Sequence, residues 1–362
     1  MKPNWRRWLR FDRVFLVVAL LFPLLASPGS PRQVYGSQLT VIFIWAILAL
    51  GLNVIVGYTG LLNLGIAAFF GIGAYITGIL TVPSYPFQVG FCTSLAIASL
   101  GTAAVGVLLA GPTLRLRGDY LAIVTLGFGE VVRYTLRNLE GITGGMRSLN
   151  PVPPPHLPDW FASVLTTIGF TPNWMADYRL FYYLTLGLLA IVIWILTNLE
   201  HSKLGRTWVA VREDELAATC MGINAARVKL SAFALGTGLA GAAGSLYVTL
   251  FTNTADPNYY GFNVSITVLC CIILGGLGSI RGTLLGVLLL KGFETIGAQW
   301  IDQFIQEANI NPDNSRFLKF SSWNMMIFGL ALILMMRFRP EGLLPSSRVK
   351  RELHTEQPLT GT

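Results

Sequence analysis

The residues best placed for chemistry stand inside the run DYLAIVTLGFGEVVRYTLRN that begins at Asp119. Spaced i, i+3, i+4 and i+7, Glu130, Arg133, Tyr134 and Arg137 share one face of a helix. Charges in so apolar a segment are costly in lipid, and they either pair with one another or face a wet cavity. Two readings follow: an ion pair of Glu130 with Arg133 that fixes helix packing, or a polar lining near the outer mouth of a translocation route. Lys291 and Glu294 repeat the spacing and can neutralise each other. They lie beside the glycine ladder Gly278, Gly282 and Gly286, and there the reading is packing.

Catalytic motifs are missing. No G-x-x-x-x-G-K-[ST] occurs, so the chain has no recognisable nucleotide-binding loop of its own. His156, His201 and His354 are isolated from one another, and no H-E-x-x-H, G-x-S-x-G or cysteine cluster offers a nucleophile or a metal site. Cys92, Cys220, Cys270 and Cys271 lack C-x-x-C spacing and imply neither disulfide nor metal. The expectation is a non-catalytic chain that binds no cofactor or metal itself.

The elements that must position these residues are membrane helices. With 53% hydrophobic and 12% charged residues and a mean hydropathy of +0.59, the chain reads as an all-α, polytopic transmembrane helical bundle. A span needs about 20 largely apolar residues. Ten candidates emerge: 14–27, 37–56, 63–82, 89–110, 119–137, 180–199, 229–250, 262–280, 283–300 and 322–338. Residues 1–26 begin like a signal peptide but show no A-x-A site before Pro28, so an uncleaved first span is expected. One membrane domain over 1–340 is followed by a polar tail, 341–362.

The net charge of +8 is distributed too one-sidedly to be a nucleic-acid footprint. Alternating ten spans puts both termini, 111–118, 200–228 and the turn at 281 on one side, with 18 of the 26 basic residues once Lys229 and Arg337, at the adjoining span ends, are counted with them. The opposite side holds five: Arg32, Arg147, Arg179, Arg316 and Lys319. The positive-inside rule makes the first side cytoplasmic. The external loop 138–179, with 251–261 and 301–321, offers a surface for an outside partner or is an ordinary interfacial loop. Gly236, Ala240 and Gly244, like the ladder at 278–286, provide small faces for close helix approach, with a broken helix lining a pathway as the alternative. The glycine-rich stretches 60–80 and 274–286 both start from the cytoplasmic side, which hints at a duplicated architecture.

Between the sixth and seventh spans lies GRTWVAVREDELAATCMGI, residues 205–223. Here Arg212, Glu213, Asp214 and Glu215 precede Leu216, Ala217, Cys220 and Met221, apolar at i, i+1, i+4 and i+5. This predicts one short amphipathic cytoplasmic helix over 207–222, closed by Gly222 in the left-handed conformation. A soluble partner can reach it there.

The pattern E-L-A-A-x-x-x-G, formed by Glu215, Leu216, Ala217, Ala218 and Gly222, resembles the coupling motif of ABC importer permeases. Beyond it, GYTGLLNLGIAAFFGIGAYITGIL, RGDYLAIVTLGFGEVVRYTLRN followed by ITGG, the block over 205–247 and ILGGLGSIRGTLLG resemble the branched-chain amino acid permease family, above all its longer M-type member. The ending RPEGLLP is similar to that family's RPRGLLG, with Glu341 departing from it. The resemblance implies a permease subunit of an ATP-driven importer for branched-chain or other neutral amino acids, in the bacterial inner membrane. It also implies partners: a second, homologous permease subunit, two cytoplasmic ATPase subunits that bind ATP and Mg, and a periplasmic or tethered substrate-binding protein. The ATPase would dock on 207–222. Two alternatives stand beside this. One is a urea or short-amide importer, against which the G-x-x-E-V-x-R arrangement from Gly127 to Arg133 counts. The other is a stand-alone ion-coupled transporter, which buries carboxylates or histidines near the membrane midplane.

Overall fold

The computed structural model describes residues 32–86, 88–113, 119–149, 152, 178–249, 255–307, 319–339 and 341–345. The candidate span 14–27, most of the loop 138–179 and most of the tail 341–362 lie outside the described residues. Among the described residues the chain is helical, with one isolated bridge, Leu149 to Ala255, and no strand.

Helix α1 (Arg32–Asn53) is apolar on every side through its middle, and it is buried on every side: Ile44, Leu48, Leu50 and Leu52 are inaccessible. It closes in a π turn, Val54–Tyr58. Helices α2 (Ile66–Thr81), α3 (Phe91–Thr113) and α4 (Asp119–Asn138) follow. Helix α5 (Tyr178–His201) leads into two short helices, α6 (Lys203–Glu213) and α7 (Glu215–Cys220), and then α8 (Ala225–Tyr247). Helices α9 (Phe262–Gly275) and α10 (Ile280–Gly292) form a hairpin. A π turn, Phe293–Gly297, carries α10 into α11 (Ala298–Glu307), and α12 (Asn324–Phe338) comes last.

Helix α8 packs against α1, α2 and α3, while α10 packs against α9 and α1. Small residues make this possible, because in lipid the association of helices depends on close backbone approach rather than on a hydrophobic drive. A β-carbon at Gly236 would stand 2.6 Å from the Gly51 carbonyl oxygen, and one at Gly244 would collide with the Phe70 carbonyl. Ala240, between them, is fully buried. Thr77 and Ser245 add a hydroxyl hydrogen bond of 2.7 Å between α2 and α8.

The glycine ladder is only partly helical. Gly282 and Gly286 face the backbone of Gly275 and Cys271 across the α9–α10 hairpin, as close packing requires. Gly278 instead lies in the turn before α10, at φ +73°, with Gly276 at φ +121°. Backbone in that region cannot continue a right-handed helix, so the expected span 262–280 ends at Gly275. Ser279 then starts α10, its Oγ accepting from the Gly282 N–H at 3.1 Å.

Each of the nine candidate spans from 37–56 onward contains a helix, but among the described residues five segments are long and apolar enough to cross a membrane: Tyr35–Tyr58, Phe91–Thr113, Tyr178–His201, Ala225–Tyr247 and Ile280–Glu307. Helices α2, α9 and α12 are apolar but shorter. The 14 residues of α9 extend roughly 21 Å at 1.5 Å per residue, short of the ~30 Å hydrocarbon core. Helix α4 has the length, but its charges keep it out of the apolar set.

The connections sort to two ends of the bundle. At one end Leu343 and Leu344 donate to the Leu274 and Gly275 carbonyls at 2.9 Å, satisfying the C-terminus of α9. At the other, Tyr75 Oη donates to the Ala255 carbonyl at 2.9 Å, Tyr85 Oη to that of Ile142 at 2.6 Å, and Trp300 Nε1 to Tyr35 Oη at 2.7 Å.

Candidate functional site

The interruption between α5 and α8 is two helices rather than one over 207–222. Asp214 separates them with extended backbone, φ −151° and ψ 108°. Its N–H caps α6 by donating to the Ala210 carbonyl at 3.1 Å. Its carboxylate starts α7 by accepting from the N–H groups of Leu216 and Ala217 at 2.8 and 2.9 Å. An aspartate that satisfies orphan donors of a new helix competes with continuing the old one. Upstream, Ser202 starts α6, its Oγ accepting from Gly205 N–H at 3.3 Å.

Gly222 closes α7 as expected, at φ +83°. Its N–H donates to the Thr219 carbonyl at 2.9 Å and Ile223 N–H donates to that of Ala218 at 3.0 Å, the pair of bonds of a Schellman motif. Asn224 then caps α8, accepting from the Arg227 N–H at 3.1 Å.

One side of the α6–α7 pair is bolted to the bundle. Trp208 and Val211 are buried, Trp208 Nε1 donates to Ser231 Oγ of α8 at 2.9 Å, and its ring stands 6.2 Å from that of Tyr58. Arg212 donates to the carbonyl of Gly57 in the π turn of α1. Glu215 pairs at 2.7 Å with Lys229 of α8, a lysine whose side chain is 8% exposed. Ala218 is buried in this seat. The other side is free: Leu216 and Met221 are 75% and 83% exposed, and Glu213, Asp214, Ala217, Thr219 and Cys220 are exposed with them. The apolar positions expected to form one helix face therefore point away from the bundle, as a mounted apolar knob beside acidic residues. Ser231, Lys229, Tyr58 and Gly57, which hold that mount, carry no local signal in the sequence.

The second candidate set lies on α4. Arg133 donates through Nε and Nη2 to a single oxygen of Glu130, at 2.9 and 2.7 Å, and its guanidinium stands 4.7 Å over the Tyr134 ring. Arg137 does not join them; its Nη2 lies 3.7 Å from Met146 Sδ. An open groove of about 450 Å³ follows this face, lined by Glu130, Val131, Tyr134, Thr135, Asn138 and Leu139. The pair is internal to α4 and partly exposed, so it cannot by itself fasten α4 to a second helix. Lys291 and Glu294 also pair, at 2.8 Å, but Lys291 Nζ additionally lies 3.8 Å over the Trp45 ring and so ties α10 to α1. Among the described residues no group of His, Cys, Asp and Glu is arranged to hold a metal ion.

Comparison with known proteins adds to this geometry. The chain is 37% identical over 357 residues to the high-affinity branched-chain amino acid transport system permease protein LivM of Salmonella typhimurium, covering 96% of this chain and 77% of that protein. LivM of Escherichia coli is also 37% identical, over 93% of this chain and 75% of its own length. The high-affinity branched-chain amino acid transport system permease protein LivH of Escherichia coli is 25% identical over 71% of this chain and 82% of its length. No solved structure matches the chain. Residues 35–336 match the family described as branched-chain amino acid transport system / permease component, and the chain belongs to that family.

Proposed function

We propose that the chain is the membrane-spanning permease subunit of an ATP-driven importer for branched-chain or other neutral amino acids. In this reading it crosses the bacterial inner membrane about ten times, does no catalysis itself, and pairs with a second, homologous permease subunit. Two ATPase subunits supply ATP and Mg chemistry, and a periplasmic or tethered substrate-binding protein delivers the solute. The observation that carries the reading is the α6–α7 pair: a firmly seated element whose tip, Leu216 and Met221, stands exposed among the described residues. Fully burying such side chains against a partner is worth roughly 1.5–3 kcal/mol each, and a rigid mount passes on displacement rather than absorbing it. Glu213, Asp214 and Glu215 set an acidic border around that tip. The sequence match to LivM supports the substrate class.

An ion-coupled transporter needs a carboxylate free to exchange Na⁺ or H⁺. Glu130 and Glu294 are each paired with a basic side chain, which weighs against that alternative. The experiment is reconstitution in liposomes with and without the ATPase and the binding protein. ATP-dependent uptake of leucine, isoleucine or valine is expected only from the full assembly. Uptake by this chain alone, or by an assembly that takes urea and no amino acid, would overturn the proposal.

A further inference from the structure

Arg212 stands where three parts of the chain meet. Helix α1 ends in the π turn Val54–Tyr58, whose last carbonyls have run out of helical N–H partners. The Arg212 guanidinium takes up one of them, at Gly57, placing a cation at a helix C-terminus, where the helix dipole favours it. Its aliphatic stem runs past Gly60, which is at φ +70° and whose β-carbon would stand 3.1 Å from Arg212 Cγ. The other flank is Gly278, in the α9–α10 turn: Arg212 Nη1 lies 3.6 Å from where its β-carbon would be. Buried Asn53 locks that turn to α1, its Oδ1 accepting from the Gly278 N–H at 2.9 Å.

The path continues toward the groove. After Gly60 the chain runs without regular structure to α2, and on the way Leu64 N–H donates to Thr125 Oγ1 of α4 at 3.1 Å. Gly65 packs so closely on Thr125 that a β-carbon would strike its carbonyl. Thr125 lies on α4 little more than one turn before Glu130. Contacts therefore run from α6, through the Arg212 side chain, to both glycine turns and on to the helix that bears the groove.

We propose that Arg212 is the positioning residue that carries movement of α6–α7 into the α1–α2 and α9–α10 turns together, and through Thr125 into α4. This rests on the reading that a nucleotide-driven partner moves α6–α7. The test uses the whole importer in proteoliposomes, with Arg212→Gln and Arg212→Lys. For Arg212→Gln, recovery of the ATPase on pull-down and basal ATP hydrolysis stay near the unaltered values, while solute moved per ATP falls roughly tenfold, the scale of a coupling between distant sites. Arg212→Lys restores part of that ratio. An unaltered ratio in Arg212→Gln overturns the proposal, as does loss of the ATPase in step with transport. If Arg212→Gln does not assemble, spin labels at positions 219 and 277 of an otherwise unaltered complex decide. Their separation stays constant between nucleotide-free and ATP-bound states if the link is rigid, and a change of several ångström overturns it. The underlying docking reading fails differently: Leu216→Asp would then leave ATPase recovery untouched, whatever Arg212→Gln does.

Discussion

Glu130 and Arg133 sit on one helix, half-buried, and their 2.7 Å contact joins α4 to nothing else. Lys291 and Glu294 have the same spacing, yet Lys291 is buried and reaches the Trp45 ring on another helix. The two pairs should therefore respond oppositely to mutation. Glu130→Gln is expected to change stability by less than about 0.5 kcal/mol, as for other i, i+3 surface pairs, while uptake falls because the groove loses its charge. Assembly yield and uptake measured together check this, and unchanged uptake would remove the groove from the transport path. Glu294→Gln strands a buried lysine and should cost roughly 3–5 kcal/mol. Adding Lys291→Met should return most of that, read as thermal unfolding of the solubilised subunit. A Glu294→Gln single variant as stable as the unaltered chain would contradict the assignment. The spacing of both pairs was legible in the sequence. Which one touched a second helix was not, because Trp45 lies far upstream and nothing local marks it as a partner.

Helices α6 and α7 show how a single capping residue changes what a mutation can test. Ala217 is in the first turn of α7, and its N–H bonds to the Asp214 carboxylate rather than to a helical carbonyl. Proline at 217 thus removes a cap bond, about 0.5–2 kcal/mol. Proline at Thr219 breaks the helix interior, about 3 kcal/mol. Thr219→Pro should abolish recovery of the ATPase on pull-down while membrane insertion continues, and Ala217→Pro should only weaken recovery; equal recovery by both would dispute the split at Asp214. A bulky residue at Ala218 acts on the seat, since that position is buried, and overpacking costs about 1–3 kcal/mol. The motif and the closing Gly222 were readable in advance. The break was not, because Arg212 to Glu215 also suits the polar face of one continuous helix. The available signal was an aspartate followed by an acidic first turn, a helix start in its own right. Gly278 was misplaced for a related reason: G-x-x-x-G spacing is the same whether its first glycine lies in the helix or in the turn before it.

At the scale of the molecule, apolar runs revealed where helices lie from residue 35 onward, and lengths proved harder. Helix α2 starts only after the glycine-bearing turn at 60–65, α9 stops at one, and α4 trades apolar character for its groove. The alternation of sides read from the basic residues predicts opposite accessibility. A cysteine at Met146, which is exposed, should react with an impermeant maleimide from outside intact cells, whereas exposed Cys220 should react only from inside. Equal labelling from outside would reverse the topology.

Cys220 also allows the central claim, that the tip of α6–α7 is where the ATPase docks, to be tested in place. It is one of two exposed cysteines among the described residues, and Cys92→Ser removes the other. A short photo-cross-linker on Cys220, activated in membranes that contain the complete importer, should yield an adduct with the ATPase subunit, and Leu216→Asp should suppress it. Adducts with the substrate-binding protein, or with lipid alone at undiminished transport activity, would contradict the account.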